Sequence, residues 1–127
     1  MITEDYVSFE TAKLLKEKGF DCKCLAIYYP DGRLETFDTP YNYNIPGGIS
    51  DVISAPTLQM AMKWLREVHN CPIEILWHWN ANSQCSEWYF GHHMELKPLP
   101  QIQYYDTYEQ ACEAAIKYCL EYLLQEI

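Results

Sequence analysis

Residues 54–70, SAPTLQMAMKWLREVHN, read as an amphipathic helix with a start, a broad apolar face and an end. Ser54 is placed to cap the first-turn N–H groups. Pro56 falls where a missing N–H costs nothing, and Ile53 with Leu58 fits the two positions of a hydrophobic staple. At about 100° per residue, Leu58, Ala61, Met62, Trp64, Leu65, Val68 and His69 share one arc, with Gln59, Lys63, Arg66, Glu67 and Asn70 opposite. An arc that wide calls for burial against a sheet or several partners. Asn70 and Pro72 end the helix.

Working outward, a hairpin-like stretch lies on each side. Upstream, 22–29 (CKCLAIYY) is β-branched and aromatic, Pro30-Asp31-Gly32 makes a turn, and 34–37 returns. Residues 38–53, DTPYNYNIPGGISDVI, break all regular patterns with two prolines and Gly47-Gly48, and the end of this loop runs extended into the central helix. Downstream, 73–80 (IEILWHWN) alternates, with Ile73, Ile75, Trp77 and Trp79 on one face. If these share a core face with Trp88, Phe90 and Met94, Trp77 faces Trp88, Ile75 faces Phe90, and Ala81 to Gln84 form the loop.

Each end of the chain adds one more helix. Ser8 caps a thin-faced helix over 9–18, ended by Gly19, with Phe20 folding back on Leu15. After the stiff connector 97–100 (KPLP), either Asp106 with Glu109 or Thr107 with Gln110 forms a capping box. The last helix then runs to about Leu124 on a face of Tyr108, Ala111, Cys112, Ala115, Ile116, Cys119, Leu120 and Leu123. The expected fold is a single α+β domain over 1–127, in the order helix-hairpin-helix-hairpin-helix. Its two hairpins are expected to join into one four-stranded antiparallel sheet with the helices packed on one face.

Composition narrows the function classes. A formal charge of −9 with only nine Lys and Arg argues against direct nucleic-acid binding and against an anionic membrane surface. No apolar run approaches a membrane span, and the first ten residues lack the features of a secretory signal. A cytoplasmic protein with reduced, mostly buried cysteines is the expectation.

The blocks YVSFETAKLLKEKGFD (6–21), ISAPTLQMAMKWLREVHN (53–70) and YDTYEQACEAAIKYCLEYL (105–123) resemble a group of small uncharacterised proteins encoded by anaerobic gut bacteria and their prophages or other mobile elements. The resemblance lies in the three helical blocks. It implies an intracellular bacterial or phage setting and carries no activity, cofactor or site residue with it.

No catalytic, phosphate-binding or metal motif stands out. The six cysteines lack the paired C-x2-C spacing of a structural zinc site, so neither a metal nor another cofactor is expected. The polar face of the second hairpin gathers Glu74, His78, Glu87, Tyr89 and His93. There, His78, Glu87 and His93 are the candidates for acid–base work, although a solvated sheet face reads the same way. Trp77, Trp79, Trp88 and Phe90 fit core packing better than a stacking platform, with Trp79 the one expected to be exposed. Tyr41, Asn42, Tyr43 and Asn44 combine rigid amphipathic rings with adaptable hydrogen-bonding groups, the chemistry of a binding loop. The expected function is therefore non-enzymatic, through a protein partner. The alternatives are an enzyme or metal protein using the His/Glu/Cys set, and an acidic nucleic-acid mimic. A homodimer through an uncovered edge strand is a further expectation.

Overall fold

Ser8 caps the first helix, α1 (Phe9–Glu17), by accepting from the Thr11 N–H at 3.2 Å. Gly19 then turns left-handed at φ +91°, and the Phe20 N–H returns to the Leu15 carbonyl at 2.9 Å. Phe20 and Leu15 are both buried, as the predicted stop requires. The computed structural model describes residues 2–45, 51–92 and 103–124, so the features read at Gly47-Gly48, His93, Met94 and 97–100 lie outside the described residues. The chain divides into two units, Met1–Ala61 and Met62–Ile127, with the division inside the central helix.

In the first unit, β1 (Cys24–Tyr28) is the middle strand of an antiparallel sheet in the order β2-β1-β3, with β2 spanning Leu34–Tyr41 and β3 spanning Ile53–Ser54. Gly32, at φ +85°, makes the β1–β2 turn and donates to the Tyr29 carbonyl at 2.8 Å. The Asp31 carboxylate accepts from the Arg33 N–H at 3.0 Å. Beyond the turn β2 runs further than its sequence suggests. Tyr28 faces Leu34, Ile27 faces Glu35 and Ala26 faces Thr36, but Cys24 faces Tyr41. Residues 37–40 thus form a bulge opposite the single β1 residue Leu25. Phe9 of α1 lies on Tyr28, with ring centroids 5.5 Å apart. The N-terminal segment runs antiparallel to 56–58, where Val7 donates to the Pro56 carbonyl at 3.0 Å and Leu58 to the Asp5 carbonyl at 2.9 Å.

The start of the central helix, α2 (Leu58–Val68), corrects the sequence reading. Ser54 is not its cap; it is a buried β3 residue opposite Ile27. The ladder continues one residue further, with the Ala55 N–H donating to the Ala26 carbonyl at 2.9 Å. Pro56 disfavours helical backbone at Ala55, which stays in the ladder, and α2 begins after Thr57. Thr57 takes the capping role, accepting from the Met60 N–H at 3.2 Å. The predicted Ile53–Leu58 staple falls with the Ser54 cap. Leu58, Ala61, Met62, Trp64 and Leu65 are buried as expected, whereas Val68, at the end of the arc, is 62% exposed. Asn70, at φ +51°, turns the chain out of the helix.

The expected single four-stranded sheet is overturned. The two hairpins form separate sheets, three-stranded in the first unit and two-stranded in the second, and the element order gains a strand, β3, before the central helix. The edges explain why. A joined sheet needs a free edge on each hairpin, but one edge of β1 is taken by β3 and the outer side of β2 is broken by its bulge and Pro40. Nor do the helices share one face of one sheet. α1 packs with the first sheet, and α3 (Tyr108–Tyr118) packs on the second.

In the second unit β4 (Ile73–Asn80) and β5 (Cys85–His92) pair in the predicted register, Trp77 opposite Trp88 and Ile75 opposite Phe90, across the predicted loop 81–84. A backbone bridge adds Tyr105 to the far side of β5: Trp88 donates to Tyr105 at 2.9 Å and accepts from it at 2.7 Å. Of the two capping registers read at α3, the structure uses Thr107 with Gln110. The Thr107 hydroxyl accepts from the Gln110 N–H at 3.0 Å, and Gln110 Oε1 accepts from the Thr107 N–H at 3.2 Å. Ala111, Cys112, Ala115, Ile116, Cys119 and Leu120 are buried, and the small residues let α3 lie close to the strands. The helix ends in one wider turn, α4 (Cys119–Leu123), of π geometry, with the Leu124 N–H reaching the Cys119 carbonyl at 3.1 Å. No helix among the described residues is long and apolar enough to cross a membrane.

Candidate functional site

The loop that leaves β2 is built by its asparagines and presents its tyrosines. Asn42 Oδ1 accepts from the Asn44 N–H at 3.0 Å, closing a local turn. The Asn44 side chain then bridges two distant backbones. Its Nδ2 donates to the Phe20 carbonyl at 3.0 Å, and its Oδ1 accepts from the Ser54 N–H at 3.1 Å. The Ser54 hydroxyl accepts from the Tyr43 N–H at 2.9 Å. Three segments far apart in sequence are thus tied together under the loop.

On this base three rings meet. Tyr43 stacks on Phe37 with centroids 5.9 Å apart and an interplanar angle of 29°. Tyr41 meets Tyr43 edge-on at 5.0 Å and 64°. Tyr43 and Phe37 are half-buried, and Tyr41 is 49% exposed. The bulge contributes directly, since Phe37 opens it and Tyr41 is the first paired residue after it. Aromatic pairs at such distances hold one another in place, so the patch is ordered by its own packing. Asn42 and Asn44, read in the sequence as adaptable contacts, are spent on holding the loop.

Beneath this loop lies Cys24, buried, its Sγ 4.0 Å from Met60 Sδ. Burial and the neighbouring Cys22 push its thiol up to about 12, against a hydrogen bond with Ser54 that lowers it. It stays protonated at neutral pH and is no nucleophile.

The second hairpin holds the acid–base candidates. The register sets His78 directly opposite Glu87, on the face predicted for them. Glu87 Oε1, however, accepts from Asn80 Nδ2 at 2.8 Å. Asn80 Oδ1 in turn accepts from the Asn82 and Ser83 N–H groups at 3.0 and 3.2 Å, shaping the hairpin loop. Tyr104 stacks on His78 at 4.8 Å and meets Tyr89 edge-on at 5.6 Å. His78 and Glu87 are therefore brought together, but each serves a structural neighbour. His93 lies outside the described residues. The opposite face splits in two. Trp88 and Phe90 pack against α3 through Tyr108 and Tyr118, at 5.5 and 5.8 Å, whereas Trp77 and Trp79 are 57% and 49% exposed.

One pair escaped sequence reading. Cys71 and Cys119, both buried, bring their sulfurs to 3.2 Å, yet they lie 48 residues apart and only the fold joins them. Their hydrogen bond lowers the Cys71 thiol, and the same bond with burial raises that of Cys119. All six cysteines are free thiols; Cys85 is exposed, Cys22 half-buried and the other four buried. A native thiol titration with a bulky disulfide reagent should modify Cys85 first and Cys22 more slowly, and reach the remaining four only on unfolding. Mass mapping that found Cys71 or Cys119 modified as fast as Cys85 would contradict this burial.

Among the described residues, no three His, Cys, Asp or Glu side chains gather as metal ligands would. No family model, curated protein or solved structure matches the chain.

Proposed function

We propose that this chain is a non-enzymatic protein that works by holding a protein partner on the aromatic patch of Phe37, Tyr41 and Tyr43. The observation that carries this reading is the anchoring of the patch. Asn44 and Ser54 fix the loop from below, so the rings pay little ordering entropy on binding. Tyrosine supplies a large amphipathic contact with few rotatable bonds and is enriched among the hot-spot residues of interfaces. The formal charge of −9 favours a partner face that is apolar with a basic rim. The resemblance to proteins of gut bacteria and their mobile elements supports a cytoplasmic, phage–host setting for that partner. The enzyme reading gains no support of its own, because Glu87 is engaged by Asn80 and His78 by Tyr104.

The test is paired capture. Immobilised chain and its Tyr41→Ala/Tyr43→Ala variant are exposed to bacterial lysate, and retained proteins are quantified. A partner should bind the parent and lose at least tenfold on the variant while the variant's circular dichroism is unchanged. A retained protein indifferent to both substitutions would place binding elsewhere and sink the assignment.

A further inference from the structure

We infer that the outer edge of β4 is a homodimerisation strand, pairing antiparallel with β4 of a second copy about a two-fold axis at Leu76. This stands on the second unit alone and does not rest on the aromatic loop.

The hydrogen-bonding phase comes first. Trp88 directs both its N–H and its C=O to Tyr105, away from β4. Trp88 and Trp77 are therefore a non-hydrogen-bonded pair, and Trp77 directs its own N–H and C=O away from β5. By alternation Ile73, Ile75, Trp77 and Trp79 all present their backbone groups to the outer edge. Among the described residues no strand or bridge pairs there.

This edge differs from the others in the molecule. β2 is broken by its bulge and Pro40, and β3 is two residues long, both ordinary ways of blunting an edge. β5 is bridged by Tyr105. β4 is eight residues, paired in unbroken register, without proline or lysine, and it exposes Leu76, Trp77 and Trp79. Unprotected apolar edges of this kind template further pairing.

The charges select the occupant and the register. Only outward-facing residues can exchange ladder bonds, so the axis must pass through a single β4 residue. An axis at Leu76 uses all four outward residues: Ile75 faces Trp77 of the second copy, and Ile73 faces Trp79. On the opposite face Leu76 meets its own copy, and Glu74 faces His78. Shifting the axis to Trp77 sets Leu76 against His78 and leaves Ile73 outside the ladder. Shifting it to Ile75 sets Glu74 against Leu76. The Leu76 axis alone pairs acid with imidazole, and by symmetry it does so twice. In that register a second copy of this chain supplies both the backbone groups of the ladder and the side chains that face them.

The experiment uses the full chain. Sedimentation over a micromolar concentration series should move from 15.0 kDa toward twice that mass. In a Cys85→Ser background, Leu76→Cys should cross-link to a dimer under mild oxidation, because residues meeting at a non-hydrogen-bonded pair lie within about 5.5 Å between Cβ atoms. Trp77→Cys and Ile75→Cys should not cross-link. Glu74→Lys should weaken the dimer about tenfold, since two pairs are lost. A chain that stays monomeric, a cross-link at position 75 or 77 in place of 76, or a Glu74→Lys variant that dimerises as tightly as the parent would each overturn the assignment.

Discussion

Asn44→Ala is expected to lower the unfolding free energy by about 2–4 kcal/mol and, if the proposed function holds, to abolish capture on the aromatic patch. Two bonds go with the side chain, those to the Phe20 carbonyl and the Ser54 N–H. The second matters more. Ser54 is buried, so its N–H is left without an acceptor, and an orphaned buried donor costs about 1–3 kcal/mol. The bond to Phe20 adds about 1 kcal/mol. Asn42→Ala offers the contrast, because it loses only a local turn closure and should cost under about 1 kcal/mol. Urea unfolding followed by circular dichroism measures both. If the two alanine variants were equally stable, Asn44 would not be the anchor of the loop, and the ordered aromatic patch would lose its support.

The parts of this fold that were legible in the sequence are local ones. Ser8, Gly19 and Gly32 each act over three or four residues with few alternatives, whereas ahead of α3 the sequence offers Asp106 with Glu109 and Thr107 with Gln110 alike, and the fold uses the second. The β4–β5 register was legible because the alternation of Ile73 to Trp79 leaves one way to bring both apolar faces together. β3 is legible only as the extended end of the 38–53 loop, since two residues carry no periodicity that would mark a strand paired with β1. Ser54 and Thr57 both offer a capping hydroxyl ahead of the same apolar arc, and only the sheet partner Ile27 decides between them.

The candidate site was half legible. Tyr41 and Tyr43 stand out by residue type, whereas the loop-holding bonds of Asn42 and Asn44 are not visible in theirs. Nothing in the sequence marks Asn44 as a bridge, because its partners Phe20 and Ser54 are 24 and 10 residues away. Phe37 was assigned to the end of a strand, and the bulge that brings it beside Tyr43 is a property of the pairing with β1. The joining of the two hairpins was misjudged for a related reason. Strand content predicts how many edges exist, but Pro40, the bulge and the Tyr105 bridge decide which of them can pair.

Raising the pH should unfold this protein more steeply than its tyrosines and lysines alone would require, because buried thiols, Cys24 and Cys112 among them, hold their protons. Burial raises Cys24 from 9.0 to about 12, with help from Cys22 and against the Ser54 hydrogen bond. Burial likewise raises Cys112 to about 11, opposed by a hydrogen bond with Tyr108 and aided by the carboxylates of Glu109 and Glu113. The sign follows from where the proton is held more tightly. Below pH 9 both thiols are protonated in the folded and unfolded chains, and their contribution is fully present. Above it the unfolded chain releases its protons first, so stability falls until the folded thiols also titrate. Each thiol steepens that fall by up to about 1.4 kcal/mol per pH unit while its unfolded form is ionised and its folded form is not. Cys24→Ala isolates one of them. It creates a small cavity and should be less stable at pH 7, yet its stability should decline with pH about 1.4 kcal/mol per unit less steeply than the parent's. Urea midpoints measured from pH 8 to 11 give the two slopes. Parallel lines for parent and variant would mean that Cys24 is reached by water in the folded chain, and that the floor beneath the aromatic loop is open rather than sealed.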